Sequence, residues 1–238
     1  VAFVERFPTP GACAAAPVGD VVRAWQGLGY NRRAVTLHRA ARQIVVHHGG
    51  SLPADLDALV ALPGVGPYTA RAVLAFAFES DVGLVETNSA RVLARAVAGR
   101  SLSRTEAQAA ADELVPPGRA WAWNSAVTDL GATVCTKRAP SCRACPIVDF
   151  CAWARTGHHL ADPAEGTAGV GRPQSPFAGS DRQGRGRLLD ALRRGPVPLD
   201  RLDRAAGWPG QPARARGVAA ALVADGLARE VGDALVLP

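Results

Sequence analysis

Four cysteines lie close together in the sequence, at Cys135, Cys142, Cys145 and Cys151. Thiolates at this spacing can converge on a single inorganic centre. Structural zinc is the simplest alternative, but zinc ribbons usually present two widely separated C-x2-C pairs, whereas one such pair stands here inside a compact run. The pattern therefore favours a [4Fe-4S] cluster, held in a reducing compartment, over zinc or a set of disulfides. The fifth cysteine, Cys13, stands apart in an alanine-rich run and is predicted to be a small buried apolar residue.

The loop that follows the first of these cysteines carries two cations, Lys137 and Arg138. A cluster that folds residues 136–141 would present both side chains to DNA phosphates. The alternative is an ordinary solvated loop.

A second constellation is the glycine-rich turn at residues 62–70, LPGVGPYTA, which lies between two apolar helical segments. Glycines let the backbone approach a ligand closely, and the amides that open the second helix favour an anion such as a phosphate. A plain turn between packed helices is the alternative, but the complete string is more specific than a lone G-x-G. We therefore predict a helix-hairpin-helix whose DNA-binding residues are Gly64, Val65, Gly66, Tyr68 and Thr69.

Helices must position these sites, because apolar residues recur at intervals of three and four through the first 155 residues. The breaks fall at glycine and proline, and Ser103 with Glu106 forms a capping box that opens one helix. Strand patterns are almost absent there. The sequence predicts an all-α domain over residues 1–155, with the cluster loop at 135–151.

The last third of the chain has a different character. Residues 156–180 are rich in glycine, proline and small residues, which predicts a linker. Helical patterns follow at 181–194, 199–206 and 211–225, and residues 227–237 resemble a hairpin centred on Gly232-Asp233. The order predicts a small winged-helix-like unit at 181–238, whose basic start at 179–187 either follows a DNA backbone or begins a solvated helix.

The composition is that of an ordinary globular protein, with 48% hydrophobic and 20% charged residues. Lys and Arg number 27 against 21 Asp and Glu, for a net charge of +6, which favours a polyanionic partner without proving one. No apolar run approaches the ~20 residues of a membrane helix, and no basic segment precedes an apolar stretch at the N-terminus. We expect a cytoplasmic, nucleoid-associated monomer with no membrane partner. The histidines show no convergence with the cysteines and are expected at the surface or in the linker, at His38, His47, His48, His158 and His159.

The hairpin string, the cysteine spacing and residues 25–30, WQGLGY, together resemble the adenine-specific mismatch DNA glycosylases of the endonuclease III superfamily. Residues 123–132, WNSAVTDLGA, also resemble that family's approach to its first cluster ligand, and the likeness extends from about residue 5 to residue 155. The resemblance implies mismatched double-stranded DNA as substrate, flipping of the base, its protonation by a carboxylic acid, an oxocarbenium-like state and attack by water on the sugar.

The resemblance also implies a second carboxylate that stabilises the cation, an aspartate in an Asp-x-Asn motif. The matching residues 85–92, VETNSARV, have Glu86 at that position. One more methylene shifts a carboxylate by about a C–C bond, and a misplacement of ~1 Å can cost on the order of 100-fold in rate. Glu86 is therefore the candidate catalytic residue, and its alternative reading is a glutamate that caps the helix from Asn88.

Two further residues bear on the implied mechanism. Bifunctional relatives form a Schiff base through a lysine two residues after the second hairpin glycine, where this chain has Tyr68. Because Lys137 is the only lysine, the resemblance predicts a monofunctional glycosylase. Tyr30 matches the family's tyrosine that wedges into the base stack, with core packing as its alternative role.

The family's acid and its glutamine-rich base-reading segment should precede Val1, so we expect the sequence to be N-terminally truncated; the alternative is a branch that has lost the acid. Family members often carry a larger C-terminal domain that reads the opposite base. The sequence-based hypothesis is excision of adenine mispaired with guanine or 8-oxoguanine. Two alternatives stay open: a catalytically impaired DNA-binding homologue, and a glycosylase for another mismatched or damaged base.

Overall fold

The computed structural model describes residues 2–167 and 176–238, which are built largely from helices. No helix within these two ranges is both long and apolar enough to cross a membrane. The α-helices are α1 (Ala2–Arg6), α2 (Pro10–Ala15), α3 (Val18–Ala24), α4 (Arg32–His47), α5 (Leu56–Val60), α6 (Pro67–Ala77), α7 (Thr87–Val92), α8 (Arg104–Glu113), α9 (Ala120–Thr133), α10 (Asp181–Arg194), α11 (Leu202–Ala205) and α12 (Pro212–Ala224).

Side-chain caps explain where several helices begin. The hydroxyl of Ser103 accepts from the Glu106 amide, and the Glu106 carboxylate accepts from the Ser103 amide, so α8 opens with the predicted capping box. Asp55 accepts from the Ala58 amide at 2.9 Å at the start of α5. Each cap satisfies an amide that has no partner within its helix. The helical organisation predicted for residues 1–155 is confirmed.

One irregular helix follows α7 without interruption. Residues Leu93–Ala98 form a π-helical turn that ends at Gly99, whose φ is +65°. Turns of this kind are rare and are frequently found at functional sites. Periodicity alone did not predict it.

The described residues divide into two compact units. The first takes in those of Val1–Pro53, Leu62–Gly64 and Gln174–Pro238, and the second those of Ala54–Ala61 and Val65–Pro173. In the first unit, Val21 and Trp25 share one buried apolar cluster with Leu188, Leu222 and Leu235. The C-terminal helices and the N-terminal helices therefore have a common core, and the predicted domain limits at 155 and 181 stay a prediction. Cys13 is 4% exposed in this core, as expected.

The elements predicted after residue 180 are present in the first unit. Helices α10, α11 and α12 are followed by strands β2 (Arg229–Val231) and β3 (Ala234–Val236), which pair antiparallel. A two-residue strand, β1 (Val197–Pro198), adds to the other side of β3, so that the sheet order is β1-β3-β2. Strand β1 was not predicted, because two residues are too few to show alternation.

Part of the predicted linker is packed in the second unit. Ala164 is 3% exposed, Thr167 accepts from the Leu102 amide at 3.1 Å, and Asp162 pairs with Arg95. Residues 168–175 of that linker lie outside the described residues. The small residues of 160–167 thus pack closely, a property that composition does not distinguish from flexibility.

Candidate active site and metal centre

The hairpin is formed by α5 and α6 with the glycine-rich turn between them. Gly64 adopts φ +75°, a conformation that favours glycine, and a Cβ there would lie 2.8 Å from the Thr36 side chain. Gly66 is the N-cap of α6 and offers no side-chain cap, with Pro67 in the first turn. The backbone amides that open α6 are therefore not capped by a side chain, an arrangement suited to an anion.

Glu86 is the N-cap of α7. Its Oε1 accepts from the amides of Asn88 at 2.8 Å and Ser89 at 2.9 Å, and the Ser89 hydroxyl accepts from the Glu86 amide. The capping role considered from the sequence is therefore present. Both amide contacts are made by one carboxylate oxygen, so the cap does not require the other.

Glu86 lies near the hairpin helix. The pKa of the Tyr68 hydroxyl is raised, first by burial and then by the negative charge of Glu86. Tyr68 remains 48% exposed. The structure therefore brings together the hairpin residue at the Schiff-base position and the candidate carboxylate.

Buried polar side chains fix the loop that leads to Glu86. Asn124 is 4% exposed; its amide oxygen accepts from the Leu84 amide at 2.9 Å and its amide nitrogen donates to Val82 O at 2.9 Å. Asp112 accepts from Gly83 N at 2.8 Å and forms an ion pair with Arg71 of α6. The loop at residues 82–84, which leads to Glu86, is thus held by contacts to three helices, α6, α8 and α9.

The four clustered cysteines line a single small cavity of about 30 Å³, whose other walls are mostly apolar. None forms a disulfide. Burial raises the pKa of Cys142, and the charges of the other three cysteines raise it further. Within the described ranges, no group of three or more His, Cys, Asp or Glu side chains is arranged as a site for a metal ion. The four thiols thus line one largely apolar cavity.

Arg95, from the π-helical turn, holds the cysteine loop in place. Its side chain is 1% exposed and donates to Thr136 O at 2.8 Å, Lys137 O at 3.1 Å and Cys135 Sγ at 3.4 Å. Its guanidinium also forms an ion pair with Asp162. Burial lowers the pKa of Arg95, but the hydrogen bonds with Asp162 and Cys135 outweigh burial and raise it. Arg95 is thus a buried, charged side chain that stabilises the cysteine loop.

Arg91 connects the candidate carboxylate segment with the cysteine loop. It is 3% exposed and donates to Asn88 Oδ1 at 2.9 Å, to Cys135 O at 2.6 Å and to Gly131 O at 2.5 Å. Sequence analysis assigned no role to Arg91 or Arg95. Their signal is two arginines four residues apart, on one helical face of an otherwise apolar segment.

The cations proposed to face DNA have exposed side chains. Lys137 and Arg138 lie in the exposed part of the loop whose carbonyls Arg95 binds. Tyr30, in the first unit, is 77% exposed and adopts φ +45°. Trp25 positions its turn by donating from Nε1 to Gly29 O at 2.8 Å. Core packing, the alternative role for Tyr30, is therefore excluded.

Two histidines differ from their expected surroundings. His38 is 8% exposed and its Nε2 lies 3.0 Å from Ala16 O, because α4 turns that face towards the core. His158 Nε2 lies 3.6 Å from Cys142 Sγ, and its ring packs edge-on against Trp153. The expectation that no histidine approaches the cysteines was wrong for His158, because the turn at 157–158 folds back across sixteen residues.

Known DNA glycosylases share this hairpin and this fold. Residues 47–76 match the helix-hairpin-helix motif. A thermostable thymine-DNA glycosylase superposes with a TM-score of 0.59 at 26% identity, covering 65% of this chain and 73% of that one. A trapped endonuclease III–DNA covalent intermediate superposes with a TM-score of 0.56 at 25% identity, covering 64% and 74%. Hairpin and fold therefore define a DNA glycosylase of the helix-hairpin-helix class.

Sequence relatives narrow this class. The adenine DNA glycosylase of Mycobacterium tuberculosis is 43% identical over 99% of this chain and 77% of its own length, and that of Mycolicibacterium smegmatis is 42% identical over 98% and 78%. The human adenine DNA glycosylase is 38% identical over 63% of this chain and 28% of its own length. The chain belongs to the adenine DNA glycosylase family, and it is a DNA N-glycosylase of base-excision repair. The resemblance recognised from the sequence is confirmed.

Proposed function

We propose that the protein hydrolyses the N-glycosidic bond of adenine mispaired with guanine or 8-oxoguanine in double-stranded DNA. The observation that carries this proposal is the Glu86 carboxylate at the N-terminus of α7, in the segment that matches the family's Asp-x-Asn motif. A negative charge at that place stabilises an oxocarbenium-like sugar after the base departs. The leaving base takes up a proton from a general acid as the glycosidic bond breaks.

The same site supports hydrolysis without strand cleavage. A lyase of the Schiff-base type needs an amine at the sugar. The hairpin position has the Tyr68 phenol, and the only lysine, Lys137, is exposed on the cysteine loop. We therefore expect a monofunctional enzyme that acts as a monomer and leaves an abasic site.

The substitution Glu86→Gln separates catalysis from capping. Glutamine keeps an oxygen that accepts from the Asn88 and Ser89 amides, so the helix start is preserved while the charge is removed. We expect excision by the native gene product to fall by about 100-fold or more, with little change in the thermal midpoint. Single-turnover excision on A:G and A:8-oxoguanine duplexes, read after alkali, measures the rate; strands cut before alkali would contradict the monofunctional assignment.

The cap geometry also favours a second candidate, a DNA-binding homologue with impaired catalysis. Oε1 of Glu86 is already engaged by two amides. If the native gene product binds the mismatched duplex but neither it nor Glu86→Asp releases adenine, this second function replaces the first. Release of a different base would instead support the third possibility, another substrate base.

The cysteine cavity fits a [4Fe-4S] cluster held by Cys135, Cys142, Cys145 and Cys151. Four unpaired thiols line it, its walls are mostly apolar, and Arg95 donates towards Cys135 Sγ. Such a cluster is redox-active and binds its four thiolates tightly. The residues of this chain fold the loop at 136–141 so that Lys137 and Arg138 can bind DNA phosphates.

Metal analysis tests this assignment. We expect about four iron and four sulfide per chain, visible absorption, and loss of both in Cys145→Ser. One zinc per chain without visible absorption would contradict it.

The C-terminal elements support a winged-helix-like unit at residues 181–238. Helices α10 to α12 precede the β2–β3 hairpin, and the short strand β1 completes a three-stranded sheet. Three helices followed by a hairpin support this assignment, which stays a proposal.

A further inference from the structure

A cleft in the first unit brings exposed arginine and aromatic side chains together from distant parts of the sequence. Its apolar floor includes Leu189, Leu222 and Leu227. The side chains that give the cleft its character are Tyr30, Arg32 and Arg33 at the start of α4, and Phe177, Arg182 and Arg185 at the start of the C-terminal segment.

The cleft is positively charged. Arg32 and Arg185 share one carboxylate, with Arg185 Nη2 2.5 Å and Arg32 Nε 3.6 Å from the two oxygens of Asp225. No lining residue in the described ranges is acidic. The Arg32 side chain is still 70% exposed. Arg32 and Arg185 share Asp225, and the exposed Arg33 adds a further guanidinium to the same cleft, an arrangement that suits a phosphate.

The aromatic residues of the cleft are exposed. Phe177 is 58% exposed, and the Arg182 guanidinium carbon lies 5.9 Å from its ring centroid. Tyr30, on the same cleft, is 77% exposed. A planar ring with a guanidinium over it is a stacking platform for a nucleobase that has lost its neighbours.

A glycine in the wall of the cleft leaves room for a ligand to approach the helix closely. Glycine disfavours a helix interior, and α10 has two. At Gly184 a Cβ would lie 2.0 Å from Trp208, so packing explains that glycine. At Gly186, which lines the cleft, a Cβ would meet nothing within 4 Å. Among the described residues no contact accounts for Gly186, so this part of the helix surface is open to a ligand.

We propose that this cleft binds one unstacked nucleotide of the DNA, with its base against Phe177 and Arg182 and its phosphate near Arg32 and Arg33. The inference rests on the proposed function, because base flipping is what leaves a nucleotide unstacked beside the lesion. That nucleotide comes either from the strand holding the target base or from the complementary strand. The C-terminal segment is therefore part of the DNA-binding site.

Duplexes with 2-aminopurine opposite the target base, or next to it on the target strand, test the proposal. Stacking on Phe177 changes the fluorescence of 2-aminopurine at one of these positions, which identifies the strand. We expect Phe177→Ala to remove that change and to weaken mismatch binding by about tenfold. Gly186→Ala should weaken binding similarly while raising the thermal midpoint.

A second helical glycine provides a matched control for Gly186→Ala. Gly217 of α12 also has nothing within 4 Å of its Cβ position but does not line the cleft, so Gly217→Ala should raise the thermal midpoint without weakening binding.

The proposal is overturned if Phe177→Ala and Gly186→Ala bind like the wild type, or if they weaken mismatched and fully paired duplexes equally. Wild-type protein that changes 2-aminopurine fluorescence through Phe177 without excising adenine would refute the proposed function and leave the cleft assignment standing.

Discussion

Arg91 and Arg95 in the second unit and Arg32 and Arg33 in the first show two opposite uses of one residue type. The first two are 3% and 1% exposed and donate to carbonyls, a sulfur and a carboxylate within the protein. The other two are exposed at the start of α4 and line a cleft. A buried guanidinium must have its donors satisfied internally, whereas an exposed one can exchange water for phosphate. The net charge of +6 therefore does not measure DNA-binding capacity, because some of the positively charged side chains are buried and hold the cysteine loop.

The largest effect on stability is expected for Arg95→Met, which tests the role of the buried arginines. Removing the guanidinium leaves Asp162 and two loop carbonyls without their donor, and we expect the free energy of unfolding to fall by about 3 kcal/mol. Iron content should fall with it. Denaturant unfolding with iron analysis measures both effects.

Arg100→Met is the matched control, because its ion pair with Glu106 is exposed on both sides and is expected to contribute little to stability. Equal losses in the two variants would break the distinction between bracing and surface arginines.

Gly131→Ala is expected to destabilise the protein less than Arg95→Met does, and its main effect is expected on catalysis. A Cβ there would lie 2.7 Å from Asn88 O, so the segment capped by Glu86 must shift. Overpacking of this kind costs about 1–3 kcal/mol, and a displacement of ~1 Å can slow the reaction on the order of 100-fold. Single-turnover excision, corrected for the folded fraction, measures the effect. A rate equal to that of Gly217→Ala would show that the position of Asn88 does not matter.

The smallest effect concerns Glu106 at the capping box. Hydrogen bonds with Ser103 and Arg100 lower its pKa from 4.5 to about 2. Since the folded-state pKa is lowered, the stability it contributes is present above pH 4.5 and is lost as pH falls towards 2. In Arg100→Ala we expect the pKa to rise while the thermal midpoint at neutral pH changes little. Carboxyl NMR titration measures this, and an unchanged pKa would assign the shift to the cap alone.

Local signals account for what sequence analysis predicted correctly. The capping box at Ser103, the hairpin at Gly64 and Gly66, and the helices after residue 180 all depend on neighbours within a few residues. The roles of Arg91 and Arg95 were missed because their partners lie forty or more residues away in the sequence. The packing of Asp162 was missed for the same reason, within a stretch whose composition resembles a linker.

The sequence by itself determined the helical class, the hairpin, the four thiols and the family, since each is expressed in residue types at short spacing. Only the tertiary structure decided that Glu86 lies near Tyr68, that Arg95 holds the cysteine loop, and that Phe177 shares a cleft with Tyr30. The physical reason is that these properties are distances between atoms far apart along the chain. Such distances are set by the packing of whole helices.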